Sequence, residues 1–78
     1  MIKFHKKAEK YLLSLNKSDA TRLHDAIENI PFGDIRKLQG TKDPVLYRLR
    51  IGKYRIVFCI DNKDIIILKI DTRGDVYK

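Results

Sequence analysis

Between Leu46 and Phe58 the chain alternates in polarity with a period of two, broken once at Gly52-Lys53. Tyr47, Leu49 and Ile51 before the break and Tyr54, Ile56 and Phe58 after it are the apolar positions, with Arg48 and Arg50 between the first three. This is the pattern of two half-buried strands, and Gly-X between them suits a two-residue type II′ loop. Such a loop sets Ile51 opposite Tyr54, Arg50 opposite Arg55, Leu49 opposite Ile56 and Arg48 opposite Val57. Side chains of paired residues share a face, so Arg48, Arg50 and Arg55 converge on one side and Tyr47, Leu49, Ile51, Tyr54 and Ile56 take the other.

Upstream, Ile2-Lys3-Phe4 reads as a short edge strand. The pattern then changes to a helical spacing, Ala8, Tyr11, Leu12 and Leu15, that makes one apolar stripe. Asn16-Lys17 breaks it, and Ser18 or Asp19 can cap a second helix with the stripe Leu23, Ala26, Ile27 and Ile30, ended by Pro31-Phe32-Gly33. Helices joined by so short a link are expected to pack as an antiparallel pair. Ile35 to Leu38 is a candidate extended piece, and residues 40–44 form a loop by their turn residues.

Downstream, the second hairpin strand runs on through Cys59 and Ile60, and Asn62-Lys63 turns it into a third strand from Ile65 to Ile70. An unbroken register from that turn places Cys59 opposite Ile66, Val57 opposite Leu68 and Arg55 opposite Ile70, all on the arginine face. The predicted class is therefore α+β, in the order β-α-α-β-β-β, with a two-helix hairpin packed on one face of an antiparallel sheet. Two helices cover only one face, the one carrying Leu49, Ile56, Phe58 and Ile67. Val57, Cys59, Ile66 and Leu68 are left as a partly exposed apolar strip beside the arginines, open to a protein partner or to the chain's own C-terminal residues.

Charge sharpens this picture. The chain has 78 residues, one domain spanning 1–78, and a formal net charge of +7. The excess is concentrated in residues 1–17 and in residues 36–55, where Arg36, Lys37, Lys42, Arg48, Arg50, Lys53 and Arg55 face Asp43 alone. Such a balance favours a polyanionic or acidic partner. Arginines placed directly opposite one another repel, at a cost of up to roughly 1 kcal/mol, which makes sense if an anion sits between them. The alternative is a solvated basic face. The tail brings Arg73 and Tyr77, which either fray or, bending at Gly74, join the arginines around one concave spot.

Other chemistries find no support in the sequence. It has no Gly-rich phosphate loop, no cysteine-histidine cluster with zinc spacing and no nucleophile elbow. His5 and His24 stand apart, the acids are scattered, and the lone Cys59 sits among apolar neighbours with no flanking base, which makes it inert. Neither a cofactor nor a metal is expected. No apolar run is long enough to span a bilayer, and the N-terminus lacks the h-region of a signal peptide, so a cytoplasmic protein with no membrane partner is the expectation.

Lys37-Leu38-Gln39-Gly40, the block from Tyr47 to Phe58, and Arg73-Gly74-Asp75-Val76-Tyr77, set in this order of elements, resemble the RelE/ParE superfamily of type II toxin-antitoxin toxins, most closely its RelE branch. The resemblance covers the whole chain. It implies a RelE-like microbial RNase fold and a toxin that cleaves mRNA, commonly on the ribosome and without a metal, by attack of a ribose 2′-OH on the adjacent phosphorus. It further implies a catalytic set of Arg48, Arg50, Arg55, Arg73 and Tyr77, RNA contacts from Lys37, Lys42 and Lys53, and a cognate antitoxin lying on Val57, Cys59, Ile66 and Leu68. Guanidiniums suit a phosphate that gains charge in the transition state, because they offer bidentate donors. Relatives carry lysines where Arg48 and Arg50 stand. The alternative on the same fold is a ParE-like, non-enzymatic inhibitor of DNA gyrase.

Overall fold

The computed structural model describes residues 1–40 and 42–72, so the expected return of Arg73 and Tyr77 toward the arginines lies outside the described residues. The elements follow in the order β1 (Ile2–Phe4), α1 (Lys6–Ser14), α2 (Lys17–Glu28), β2 (Asp34–Lys37), β3 (Leu46–Ile51), β4 (Tyr54–Asp61) and β5 (Asp64–Thr72). The strands form one five-stranded sheet in the spatial order β1-β5-β4-β3-β2. The α+β arrangement of two helices on a sheet is as the sequence predicts. Two details differ. The stretch around Ile35 is a true strand, pairing antiparallel with β3, and the sheet is mixed, because β1 runs parallel to β5.

Each helix begins on a side-chain cap. His5 Nδ1 accepts from the Lys7 amide at 3.3 Å, and Asn16 Oδ1 accepts from the Asp19 amide at 2.8 Å. The second cap thus falls at Asn16, two residues before Ser18. Asn is as good a cap as Ser or Asp, and starting there leaves Asp19 in the first turn, where the helix dipole favours a carboxylate. The link between the helices shrinks to Leu15 and Asn16.

Both helices bury their stripes against one face of the sheet. Phe58, Leu23, Ile27, Leu49, Ile56 and Ile67 are all less than 2% exposed and form the centre of the core with Ala8, Tyr54 and Ile70. Burying side chains of this size contributes about 1.5–3 kcal/mol each. Tyr47 stacks on Phe58 at 5.5 Å between ring centroids, and Tyr11 meets Tyr54 edge to face at 6.5 Å.

The β3–β4 register is the predicted one from Leu49↔Ile56 to Ile51↔Tyr54, with Arg50 opposite Arg55 and Arg48 opposite Val57. Gly52 turns the hairpin at φ 56, as the first position of a type II′ loop requires. A Cβ there would also stand 3.0 Å from the Arg22 guanidinium, which α2 lays over the turn. The β4–β5 turn has Asn62 at φ 53 and Lys63 at φ 76, the two left-handed residues of a type I′ loop.

Beyond that turn the register departs from the unbroken one. Cys59↔Ile66 and Phe58↔Ile67 hold, but a β-bulge follows, and Val57 faces Lys69, Ile56 faces Ile70 and Arg55 faces Asp71. Leu68 is the extra residue. Without it Lys69 and Asp71 would point at the helices and Ile70 away from them. With it Ile70 joins the core at 4% exposure, and a carboxylate arrives beside Arg55.

Candidate nucleic-acid interface

The face opposite the helices is organised in rows that run across the strands. Cross-strand pairing places Asp34, Arg50, Arg55 and Asp71 in one row, from β2 to β5, and Arg36, Arg48, Val57 and Lys69 in the next. A third, apolar row holds Leu46, Cys59 and Ile66. Neighbours in such a row have Cβ atoms about 5 Å apart.

The first row is internally balanced. Arg55 donates from Nε to Asp71 Oδ1 at 3.2 Å and from Nη2 to Oδ2 at 2.9 Å, a two-bond fork on a half-buried pair. The anion required by the facing arginines is therefore supplied in part by the chain itself. Asp34 stands opposite Arg50 at the other end.

The second row is cationic. Arg48 is the one buried charged residue among those described, at 7% exposure. No carboxylate among the described residues comes within ion-pair distance of Arg36, Arg48 or Arg50. Burial, then the charges of Arg50, Arg36 and Arg55, pull the Arg48 pKa below its ordinary value, while Asp34 acts in the opposite direction. The guanidinium keeps its proton, since arginine in proteins does so in effect always. The result is a desolvated cation among cations, which attracts an anionic ligand.

The other residues of the expected set are placed less uniformly. Lys37 pairs with Tyr47 and so points to the helix side of the sheet, and Lys53 lies over the Tyr54 ring at 5.4 Å. Neither stands on the arginine face. Alternation carried back through β2 puts Arg36 there instead, and the bulge brings Lys69. Lys42 does lie near the face, in a loop that lines a cleft of about 520 Å³ with Pro44, Tyr47, Cys59 and Ile66.

The apolar strip is also narrower than expected. Cys59 is 5% exposed at the bottom of that cleft, and burial, with Asp61 nearby, pushes its thiol pKa up, in keeping with an inert residue. Leu68, left without a partner on β4 by the bulge, lines a hollow beside α1 with Lys7, Tyr11, Lys69 and Ile70. Val57 and Ile66 remain half-buried on the arginine face. Among the described residues no group of three or more His, Cys, Asp or Glu side chains is placed to hold a metal ion, and no helix is long and apolar enough to cross a membrane.

Comparison with known proteins gives a consistent result. Residues 2–77 match the family described as ParE toxin of type II toxin-antitoxin system, parDE. A relative from Methanocaldococcus jannaschii that bears the name RelE1 is 33% identical over 86 positions, covering 99% of this chain and 93% of that protein. Among solved structures, the archaeal RelE-RelB complex from Pyrococcus horikoshii superposes with a TM-score of 0.74 at 39% identity, over 94% of this chain and 93% of that one. The RelB-RelE antitoxin-toxin complex from Methanococcus jannaschii gives 0.75 at 26% identity, over 96% and 94%.

Proposed function

The chain belongs to the ParE toxin family of type II toxin-antitoxin systems, within the RelE/ParE superfamily, and from that premise we propose that it is a cytoplasmic endoribonuclease that cleaves mRNA on the ribosome. The observation that carries this reading is the buried Arg48 in a cluster of arginines with no ion-paired carboxylate of its own among the described residues. A gyrase-binding surface has no need of a desolvated guanidinium. A pentavalent phosphate does, because its non-bridging oxygens gain charge as the 2′-hydroxyl loses its proton and its oxygen bonds to phosphorus; that charge passes to the 5′-oxygen as its bond to phosphorus breaks and it takes up a proton, leaving a 2′,3′-cyclic phosphate.

In this reaction Arg48 and Arg50 bind the equatorial oxygens, and Arg55, held by Asp71, adds its field from the next strand. Arg73 and Tyr77 complete the set by resemblance, the tyrosine as a stacking platform or proton carrier. The step requires no metal and no cofactor. A cognate antitoxin is the expected protein partner, as in the two archaeal complexes. Its contacts are Val57, Ile66 and the cleft above Cys59, where it would mask the arginine face.

The test is a translating extract charged with a defined mRNA. The protein should produce discrete cuts within the reading frame, and Arg48→Gln should reduce their rate at least tenfold while the melting transition is retained. Intact mRNA in that extract, together with inhibition of gyrase supercoiling by the purified protein, would overturn the ribonuclease reading in favour of the gyrase one.

A further inference from the structure

We propose that the RNA backbone runs across the strands along the row Arg36–Arg48–Lys69, and that Arg36 and Lys69 are RNA-binding residues of this site. The inference rests on the ribonuclease reading and adds the path of the bound strand. It follows from the difference between the two charged rows. In the row of Arg50 and Arg55 both ends are acidic, Asp34 on β2 and Asp71 on β5, and Asp71 already occupies two donors of Arg55. A polyanion laid there would meet a carboxylate at either end. In the adjacent row every charged member is positive, and the one uncharged position is Val57.

The row spans β2 to β5, three strand spacings of about 4.8 Å, or roughly 14 Å in all. That is long enough for more than one phosphate to be engaged. Arg36 and Lys69 are exposed at its two ends and Arg48 is buried between them, so the ends are accessible to a strand and the centre offers the desolvated donor. Lys69 does approach Asp71 Oδ2 at 3.5 Å, but its side chain is 64% exposed. A pair of that kind is weak and screened by salt, and leaves the ammonium able to turn to a phosphate.

The experiment uses the whole chain and a short single-stranded RNA methylated at every 2′-oxygen, which binds without being cut. Its affinity is measured by fluorescence anisotropy over a series of KCl concentrations for wild type, Arg36→Gln, Lys69→Gln and, as a control for net charge, Lys10→Gln on α1. On a single strand, each phosphate that the protein no longer neutralises lowers the salt slope by about 0.7. Arg36→Gln and Lys69→Gln should each weaken binding and flatten the slope by about that amount, the double variant by about twice as much, with Lys10→Gln close to wild type. Unchanged slopes in both single variants of a protein that binds and cuts RNA would refute the track and leave the ribonuclease reading standing. A wild type that neither binds this RNA nor cleaves mRNA would end both.

Discussion

Tyr54 illustrates how a single hydroxyl ties an element to its neighbours and reports on the result. Its side chain closes the end of the core, and its O–H donates to Asp19 Oδ2 at 2.6 Å, fastening the β3–β4 hairpin to the first turn of α2. The bond to a carboxylate, with burial and the Asp19 charge adding to it, pushes the phenol pKa up to about 12. In the unfolded chain it ionises near 10. Below that pH both states are neutral and the contact is fully present; between the two values the unfolded state releases a proton that the folded state retains, so stability is lost as pH rises. Urea unfolding midpoints should therefore fall from about pH 10 upward. Asp19→Asn should make this fall shallower and bring the Tyr54 titration, followed by near-ultraviolet absorbance, back toward the ordinary tyrosine value near 10. A tyrosine titration with no late component in the wild type would show that the bond does not persist in solution.

At the scale of elements, the two hairpins differ in how far the sequence specifies them. Gly52-Lys53 fixes the first, because a two-residue loop leaves a single register and the alternation on both sides agrees with it. The second begins as cleanly, but Ile65-Ile66-Ile67-Leu68 is apolar at every position and carries no phase. Phase returns only with Lys69-Ile70-Asp71, and it is opposite to the one the turn imposes. That conflict is the sequence signal for the bulge, and a register extended from the turn alone does not contain it. The consequence is large for so small a device, since it delivers both the Asp71 fork on Arg55 and the Lys69 end of the cationic row. The same hairpin holds a residue ill suited to its backbone. Lys63 sits at φ 76 in the second position of a type I′ loop, where glycine is preferred. Lys63→Gly relieves a left-handed side-chain cost of about 1–2 kcal/mol and loses part of that gain to unfolded-state entropy. A net rise of about 0.5–1 kcal/mol in unfolding free energy is expected, read from urea denaturation. A decrease would mean that the Lys63 side chain has a stabilising role that its backbone conceals.

For the whole molecule the decisive property is that the arginine cluster and the core lie on opposite sides of one sheet. The arginines of the hairpin are legible because alternation sorts faces. Arg36 is harder to tell from Lys37, because the strand that carries them has no tight turn to fix its register, although one more step of the same alternation selects Arg36. A net charge of +7 gathered partly on one face makes the free protein repel itself; on the proposed ribonuclease reading an RNA strand would relieve that repulsion, which screening by salt relieves less specifically. The two reliefs respond oppositely to KCl. The melting temperature of the free protein should rise with salt, while the increment produced by the uncleavable RNA should shrink. At an RNA concentration about 100 times Kd the increment corresponds to roughly 2.7 kcal/mol, which for a domain of this size is a shift on the order of 10 °C or more. Arg48→Gln removes charge from the centre of the face, so it should flatten the salt dependence of the free protein and reduce the RNA increment together. If the variant loses the RNA increment but keeps the full salt dependence, the repulsion resides elsewhere, in the lysines of residues 1–17, and the arginine face is an RNA site without being the seat of the strain.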